Sequence, residues 1–163
     1  MAEKYEPVRV SRRIEAEPSV IFAALADPGR HEEFDGSGMV RSAVNDSLIT
    51  AVGDQFEMNM YFDRLGGDYK MINRVVEFLP DRRIAWEPAP GDERSAGEIE
   101  IGSRVGHRWS FELEPDGEGA TVVTEIYDCS EAPADLRAGM DDGRSWEPSM
   151  VRTLDRLDEI CAG

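Results

Sequence analysis

Two polar side chains, Asn73 and His107, are the strongest candidates for chemistry in this chain. Asn73 shares its alternating strand position with Met71 and Val75, so an amide is expected on an apolar face. An amide in that position can bind a carbonyl or hydroxyl group inside a cavity. His107 precedes Trp109 at the start of another apolar segment and can act as a base beside a pocket. The alternatives are that Asn73 is a bonded structural amide or, if the strand register shifts by one, a surface residue, and that His107 is a surface histidine at a strand end.

The other reactive side chains form no recognisable catalytic or metal-binding pattern. His31 is followed by two glutamates and is expected on a solvated helix face. Tyr69 and Tyr127, near strand ends, can hydrogen-bond at the mouth of a pocket. Two histidines and the separated Cys129 and Cys161 supply too few ligands for a metal site. Nucleophile-elbow, dinucleotide, phosphate-loop and zinc-protease motifs are absent from the sequence. We therefore expect no metal and no cofactor.

Large apolar side chains recur with the periods of strands and of one helix. Residues 54–62 alternate in hydrophobicity with a period of two, which predicts a strand with one buried face. Near the C-terminus the apolar positions recur at steps of three and four, which predicts a one-faced helix. The members of that helical stripe are Trp146, Met150, Leu154, Leu157 and Cys161. Such a helix must bury its stripe, and the candidates upstream are antiparallel strands.

A long helix lying on a curved sheet tends to leave a hollow between the two. Methionine suits adaptable pockets, and tryptophan supplies large walls with a polar handle. We predict that a hydrophobic ligand would contact Phe56, Met58, Met60, Met71, Asn73, Trp86, Trp109, Phe111, Trp146, Met150 and Leu154. Loops 91–105 and 130–143 would gate this hollow. The alternative is an ordinary solid core.

The order of predicted elements defines an α+β architecture. Predicted strands cover 5–16, 39–44, 54–62, 68–79, 82–87, 106–114 and 119–129, with short helices from Pro18 to 27 and over 30–34. A bulge is expected within 68–79. The sequence does not decide which face of strand 119–129 is buried. Segment 88–106 is predicted to be a long loop, with a strand extension at Ile99 and Ile101. A helical turn is expected over 133–140, and Ser145 is the predicted N-cap of the final helix.

Composition limits the classes of partner. The chain has 163 residues and a net charge of −16, so a single domain over 1–163 is expected and nucleic acid would be repelled. Neither an apolar run of about 20 residues nor an apolar leader is present, so we expect no membrane span and a cytoplasmic location. The sequence does not decide whether the protein forms a homodimer.

Four segments together resemble the START-like superfamily, also called the SRPBCC or Bet v 1-like group. These are 14–28, a strand-to-helix passage; 74–87, a hairpin; 119–124, the start of a last strand; and 146–157, a closing helix. The resemblance implies a helix-grip fold, in which a curved antiparallel sheet wraps around a long C-terminal helix and two short helices follow the first strand. Proteins of this superfamily usually have a tryptophan after the second short helix. This chain has none there, and Phe34 is the nearest aromatic residue.

The resemblance implies a deep apolar cavity but no single activity. Within the superfamily, the chain most resembles polyketide cyclase/dehydrase-type proteins and Aha1-like domains. Three hypotheses therefore stand: binding of a small lipid-, polyketide- or aromatic-like molecule, a cyclase/dehydratase-like enzyme without metal or nucleotide, and an Aha1-like chaperone-associated protein. Asn73 and His107 are the weak catalytic candidates of the second hypothesis.

Overall fold

The fold is built on one antiparallel sheet of seven strands and a long C-terminal helix. A computed structural model describes residues 5–45 and 47–163, so residues 1–4 and 46 lie outside the described residues. The strands are β1 (Val8–Ile14), β2 (Val40–Ala43), β3 (Gln55–Phe62), β4 (Gly67–Leu79), β5 (Arg83–Pro90), β6 (Arg108–Pro115) and β7 (Thr121–Asp128). Their order across the sheet is β1-β7-β6-β5-β4-β3-β2. Every predicted strand is therefore present, and the predicted α+β class is confirmed.

Five helices accompany the described part of the sheet. They are α1 (Pro18–Leu25), α2 (His31–Phe34), α3 (Glu93–Ala96), α4 (Ala134–Gly139) and α5 (Glu147–Cys161). Pro18 occupies the first turn of α1, where its missing N–H needs no partner. Helix α5 packs against β1, and Arg12 of β1 bonds to Asp155 of α5 at 2.5 Å. No helix of the described residues is both long enough and apolar enough to cross a membrane.

Two local predictions about connections need revision, and a third is confirmed. Ile99 and Ile101 lie exposed in turns rather than in a strand, because β5 itself runs on to Pro90 and α3 follows. Ser145 does not cap the final helix: a 3-10 segment, Asp141–Trp146, leads into it, and the N-cap residue Trp146 makes no capping hydrogen bond. The bulge predicted in β4 is confirmed between Val75 and Glu77.

The concave face of the sheet carries rows of paired side chains. Across neighbouring strands Phe56 lies opposite Asn73, and Asn73 lies opposite Pro88. Trp86 lies opposite Trp109, which in turn lies opposite Tyr127. Because side chains alternate between the faces of a strand, these residues all project toward α5.

One half of the space between sheet and helix is filled. This packed half is defined by six side chains with no exposed surface: Ile14, Ile21, Leu25, Ile84, Val123 and Leu157. The bulge in β4 brings Phe78 onto the same side, where its ring meets Phe22 with centroids 5.3 Å apart. Aliphatic side chains from β1, β5, β7, α1 and α5 therefore close this half completely.

A loop after α2 closes the other half from the side. Gly36 lies so close to α5 that a Cβ atom there would come within 2.2 Å of the Ser149 carbonyl oxygen. Its N–H donates to Thr153 Oγ1 at 2.9 Å, and its carbonyl accepts from Arg152 Nε at 2.9 Å. Glycine at this position thus lets the loop reach the N-terminal part of α5.

Candidate functional site

A cavity of about 230 Å³ lies between the concave face of the sheet and the N-terminal half of α5. Its walls come from β3 to β7, from α5 and from the loop after α2, and they are mostly apolar. The lining residues are His31, Phe34, Asp35, Ser37, Met39, Val40, Phe56, Met58, Met60, Tyr69, Met71, Asn73, Trp86, Pro88, His107, Trp109, Phe111, Glu125, Tyr127, Trp146, Ser149, Met150 and Thr153.

Nearly all of the side chains predicted to contact a ligand border this cavity. The exception is Leu154, which is 1% exposed and belongs to the solid core beside Leu157. On a helix Met150 and Leu154 are one turn apart, and the cavity ends between them. Tyr69 and Tyr127, expected at the mouth, also line the cavity.

Asn73 is a buried amide whose side chain meets the cavity. It is 7% exposed and lines the cavity. Its cross-strand neighbours, Phe56 and Pro88, offer no polar side chain. An amide that lines an apolar cavity can donate to or accept from a polar group of a bound molecule.

The most unusual polar group in the cavity is Glu125, which sequence reasoning missed. It is 4% exposed, and its Oε2 has no hydrogen-bond partner among the described residues. Burial, and then the negative charge of Asp35, raise the pKa of Glu125 well above its usual value. The alternation in β7 is ambiguous because Val122 and Ile126 mark one face as apolar while Val123 marks the other.

His107 and Tyr127 form a hydrogen-bonded pair in the cavity wall. His107 Nδ1 lies 2.5 Å from the Tyr127 hydroxyl oxygen. Burial lowers the pKa of His107 and raises the pKa of Tyr127, which favours the neutral form of both. Because the Tyr127 hydroxyl donates to Met140 Sδ, the Nδ1–H group of neutral His107 can donate to the Tyr127 oxygen. Sequence reasoning proposed each residue separately but did not predict the pair.

His31 is buried, contrary to the prediction of a solvated helix face. Its ring stacks on Trp86 with centroids 5.2 Å apart, and Nε2 lies 2.8 Å from the Leu25 carbonyl oxygen. Burial lowers the pKa of His31 to about 4. His31 is therefore neutral at physiological pH and donates from Nε2. The two glutamates after it face solvent, so the local sequence hid the tertiary contact.

Asp35 supplies the other carboxyl group of the cavity and is held in the loop after α2. It accepts hydrogen bonds from the backbone N–H groups of Ser37 and Gly38 at 3.1 and 2.9 Å, and of Val40 at 3.2 Å. The Ser37 hydroxyl donates to it as well. The carboxylate of Asp35 thus has a structural role, while its charge acts on Glu125.

No group of three or more histidine, cysteine, aspartate or glutamate side chains converges as a metal site within residues 5–45 and 47–163. Polar chemistry in the cavity therefore rests on an amide, a buried carboxyl group and the His107–Tyr127 pair. These groups can orient a small molecule by hydrogen bonds, and the carboxyl group can give or take a proton.

Two mycobacterial sequences are similar to this chain. The uncharacterized protein Rv0088 of Mycobacterium tuberculosis is 34% identical over 130 residues, which is 78% of this chain and 50% of that protein. The protein MT0096 of another strain of the same species matches equally. The chain spans about half the length of these relatives. No protein-family model matches the chain.

Solved structures share the fold at low sequence identity. Protein CV1439 from Chromobacterium violaceum aligns with a TM-score of 0.67 and 16% identity, over 97% of this chain and 99% of that one. The AHSA1-like protein from Aeromonas hydrophila aligns with a TM-score of 0.56 and 15% identity, over 94% of both chains. With the seven-stranded antiparallel sheet and the long C-terminal helix, these likenesses identify a helix-grip fold.

Proposed function

We propose that this protein binds a small, mostly apolar molecule in the cavity between the sheet and α5. The cavity itself is the observation that supports the proposal. An engineered apolar cavity of about 150 Å³ is enough to bind benzene. The cavity of about 230 Å³ therefore has room for an aromatic ring with a short substituent. Lipid-, polyketide- and aromatic-like compounds all belong to this class.

Apolar contact supplies the affinity in this proposal, and polar groups supply the orientation. A ligand that loses about 200 Å² of apolar surface gains roughly 5 kcal/mol at about 25 cal/mol per Å². Part of that gain is offset by the loss of translational and rotational freedom. The amide of Asn73 would hold one hydroxyl or carbonyl group of the ligand.

Access to the cavity would depend on two loops, 91–105 and 130–143. Arg104 links them, because its guanidinium bonds to Glu87 of β5 and to Glu131. Met140 of the second loop accepts a hydrogen bond at 3.6 Å from the hydroxyl group of Tyr127, which lines the cavity. Opening of these loops is the movement we expect during ligand exchange.

Native mass spectrometry of the purified protein tests this proposal first. We expect a stoichiometric small molecule whose extract is apolar. Calorimetric titration with 3-phenylpropanol then tests the location of binding. Trp109→Ala combined with Met58→Ala should weaken binding by at least tenfold, whereas Leu79→Ala, at an exposed position, should not. Unchanged affinity in the double variant would contradict the proposal.

A cyclase/dehydrase-type enzyme that uses the same cavity is the second candidate function. The short contact between His107 and Tyr127 favours it, because a neutral imidazole can accept a proton from a bound substrate. Asn73 would position that substrate. Turnover of a cyclisable polyketide analogue, lost in Asn73→Ala and His107→Ala, would support this candidate. An intact rate in both variants would remove these residues from the mechanism.

An Aha1-like, chaperone-associated role is the third candidate. The likeness to an AHSA1-like protein favours it, and the net charge of −16 offers a working surface. Capture of a chaperone should then survive filling of the cavity by Asn73→Trp but fail after charge reversal on the surface. The opposite pattern would eliminate this role.

A further inference from the structure

We propose that the cavity selects apolar amines in their protonated form, with the carboxylate of Glu125 as the counter-ion. This inference rests on the proposed binding function and names the ligand class. Glu125 is 4% exposed and borders the cavity, and its Oε2 has no partner among the described residues. An unpartnered acceptor so deeply buried is costly unless something else occupies the site.

The surroundings of Glu125 offer no internal partner. Its cross-strand neighbours are Phe111 on β6 and Val10 on β1, neither of which has a polar side chain. No lysine or arginine is among the described residues that line the cavity. A ligand with an ammonium group would supply the missing cation and donate hydrogen bonds to the carboxylate.

The aromatic walls suit the same ligand. Trp86, Trp109 and Tyr127 line the cavity, and the Trp109 and Tyr127 ring centroids are 4.5 Å apart. Aromatic faces attract a cation within about 6 Å of their centroids, and tryptophan does so best. An amine with an apolar body would therefore satisfy both the carboxylate and the rings.

The other titratable groups of the cavity do not compete for this role. They are His31, Asp35, Tyr69, His107 and Tyr127. Burial lowers the pKa of His31 to about 4 and also lowers the pKa of His107, so neither histidine is a cation near neutral pH. Asp35 already accepts three backbone N–H groups, and its negative charge adds to the attraction for a cation. A carboxylate ligand would meet the negative charge of Asp35 and no cation, since no lysine or arginine lines the cavity.

Binding of an amine should release a proton from the protein. Without a cation, burial holds Glu125 in the protonated form, because its pKa is raised well above the usual value. When an ammonium group enters, Glu125 gives its proton to the buffer and the ion pair forms. The affinity for an amine should therefore rise with pH until Glu125 is ionised in the free protein, and the affinity for a neutral alcohol should not.

Three probes with the same apolar body test the inference: 3-phenylpropylamine, 3-phenylpropanol and 3-phenylpropionate. Calorimetry at about 0.15 M salt, where surface charges are screened, gives their affinities. We expect the amine to bind at least tenfold more tightly than the alcohol and the carboxylate not to bind. In Glu125→Gln the affinity for the amine should fall by at least tenfold, whereas the affinity for the alcohol should stay within twofold of the wild-type value.

Glu114→Gln is the matched control, because it is the same substitution at a position exposed at the end of β6. It should leave the affinity for the amine unchanged. If Glu125→Gln fails to fold, proton release by the wild-type protein, measured in buffers of different ionisation enthalpy, takes its place. An alcohol that binds as tightly as the amine, or amine binding that releases no proton at any pH, would overturn the inference but leave the binding function standing. Failure of all three probes to bind would overturn both.

Discussion

The two ends of α5 pack against the same sheet with opposite results. Toward the C-terminus Leu154 and Leu157 meet aliphatic side chains and leave no space. Toward the N-terminus Trp146 and Met150 face tryptophans and methionines across a cavity. Branched aliphatic side chains of similar size fill the layer between helix and sheet, whereas long or flat side chains hold the two apart. We therefore expect stability to depend mainly on the C-terminal end of α5 and the proposed ligand binding on its N-terminal end.

The largest effect that distinguishes the two ends is expected from truncation in the packed half. Leu157→Ala should lower the free energy of unfolding by about 3 kcal/mol, because a fully buried leucine leaves a cavity. Met60→Ala, at a half-buried position of the cavity wall, should cost only about 1 kcal/mol. Urea denaturation of both variants measures the difference. Equal losses would show that the cavity end is packed as firmly as the other.

Low pH should destabilise the folded protein through His31, a buried residue that lines the cavity. Its pKa is about 4 in the folded state and 6.5 in the unfolded chain, so the folded state binds the proton less well. Neutral His31 contributes its full stabilisation of the folded state above pH 6.5. About 3 kcal/mol of the free energy of unfolding is then lost as the pH falls toward 4. The raised pKa of Glu125 gives a slope of the opposite sign, so the His31 contribution is the difference between the wild-type protein and His31→Gln when unfolding is measured from pH 7 to 4.

His31→Gln is the control for that slope, because its amide can still donate to the Leu25 carbonyl oxygen. Most of the loss between pH 6.5 and 4 should disappear in this variant. A slope as steep as that of the wild-type protein would assign the effect to other groups, of which His107 is the nearest candidate.

A smaller loss of stability is expected on substitution of Gly143, which lies between α4 and α5. Gly143 has a φ of +93°, and a Cβ there would come within 2.7 Å of the Tyr127 ring. Gly143→Ala should therefore cost about 2 kcal/mol, from strain and overpacking together. Gly139→Ala is the matched control, because nothing lies within 4 Å of its Cβ position. Thermal unfolding compares the two, and equal melting temperatures would contradict the account.

The smallest change in stability is expected at Asn73. Asn73→Leu keeps the size of the side chain and replaces an amide that lines the cavity, so the free energy of unfolding should change by less than about 1 kcal/mol. The affinity for 3-phenylpropanol should nevertheless fall by about tenfold if the amide binds the hydroxyl group. Calorimetry measures this, and a loss of stability above 2 kcal/mol would instead assign Asn73 a structural role.

Local patterns predicted the elements well and the polar interior poorly. The alternation around Met58 and Met60 and the helical stripe that contains Met150 placed the walls of the cavity, because periodicity reports which face is buried. Glu125 escaped notice because both faces of β7 carry apolar residues. His31 was misjudged because its burial arises from stacking on Trp86, which is distant in sequence. Such contacts depend on the fold as a whole.

Methyl-resolved NMR during titration with 3-phenylpropanol tests the central claim most directly, because it observes both ends of the core together. The account predicts shifts of the methyl signals of Met58, Met60, Met71 and Met150, which line the cavity, and none at Ile21, Ile84 or Leu157. Shifts confined to exposed positions such as Leu48, Val52 and Leu79, with the cavity methionines unmoved, would contradict it.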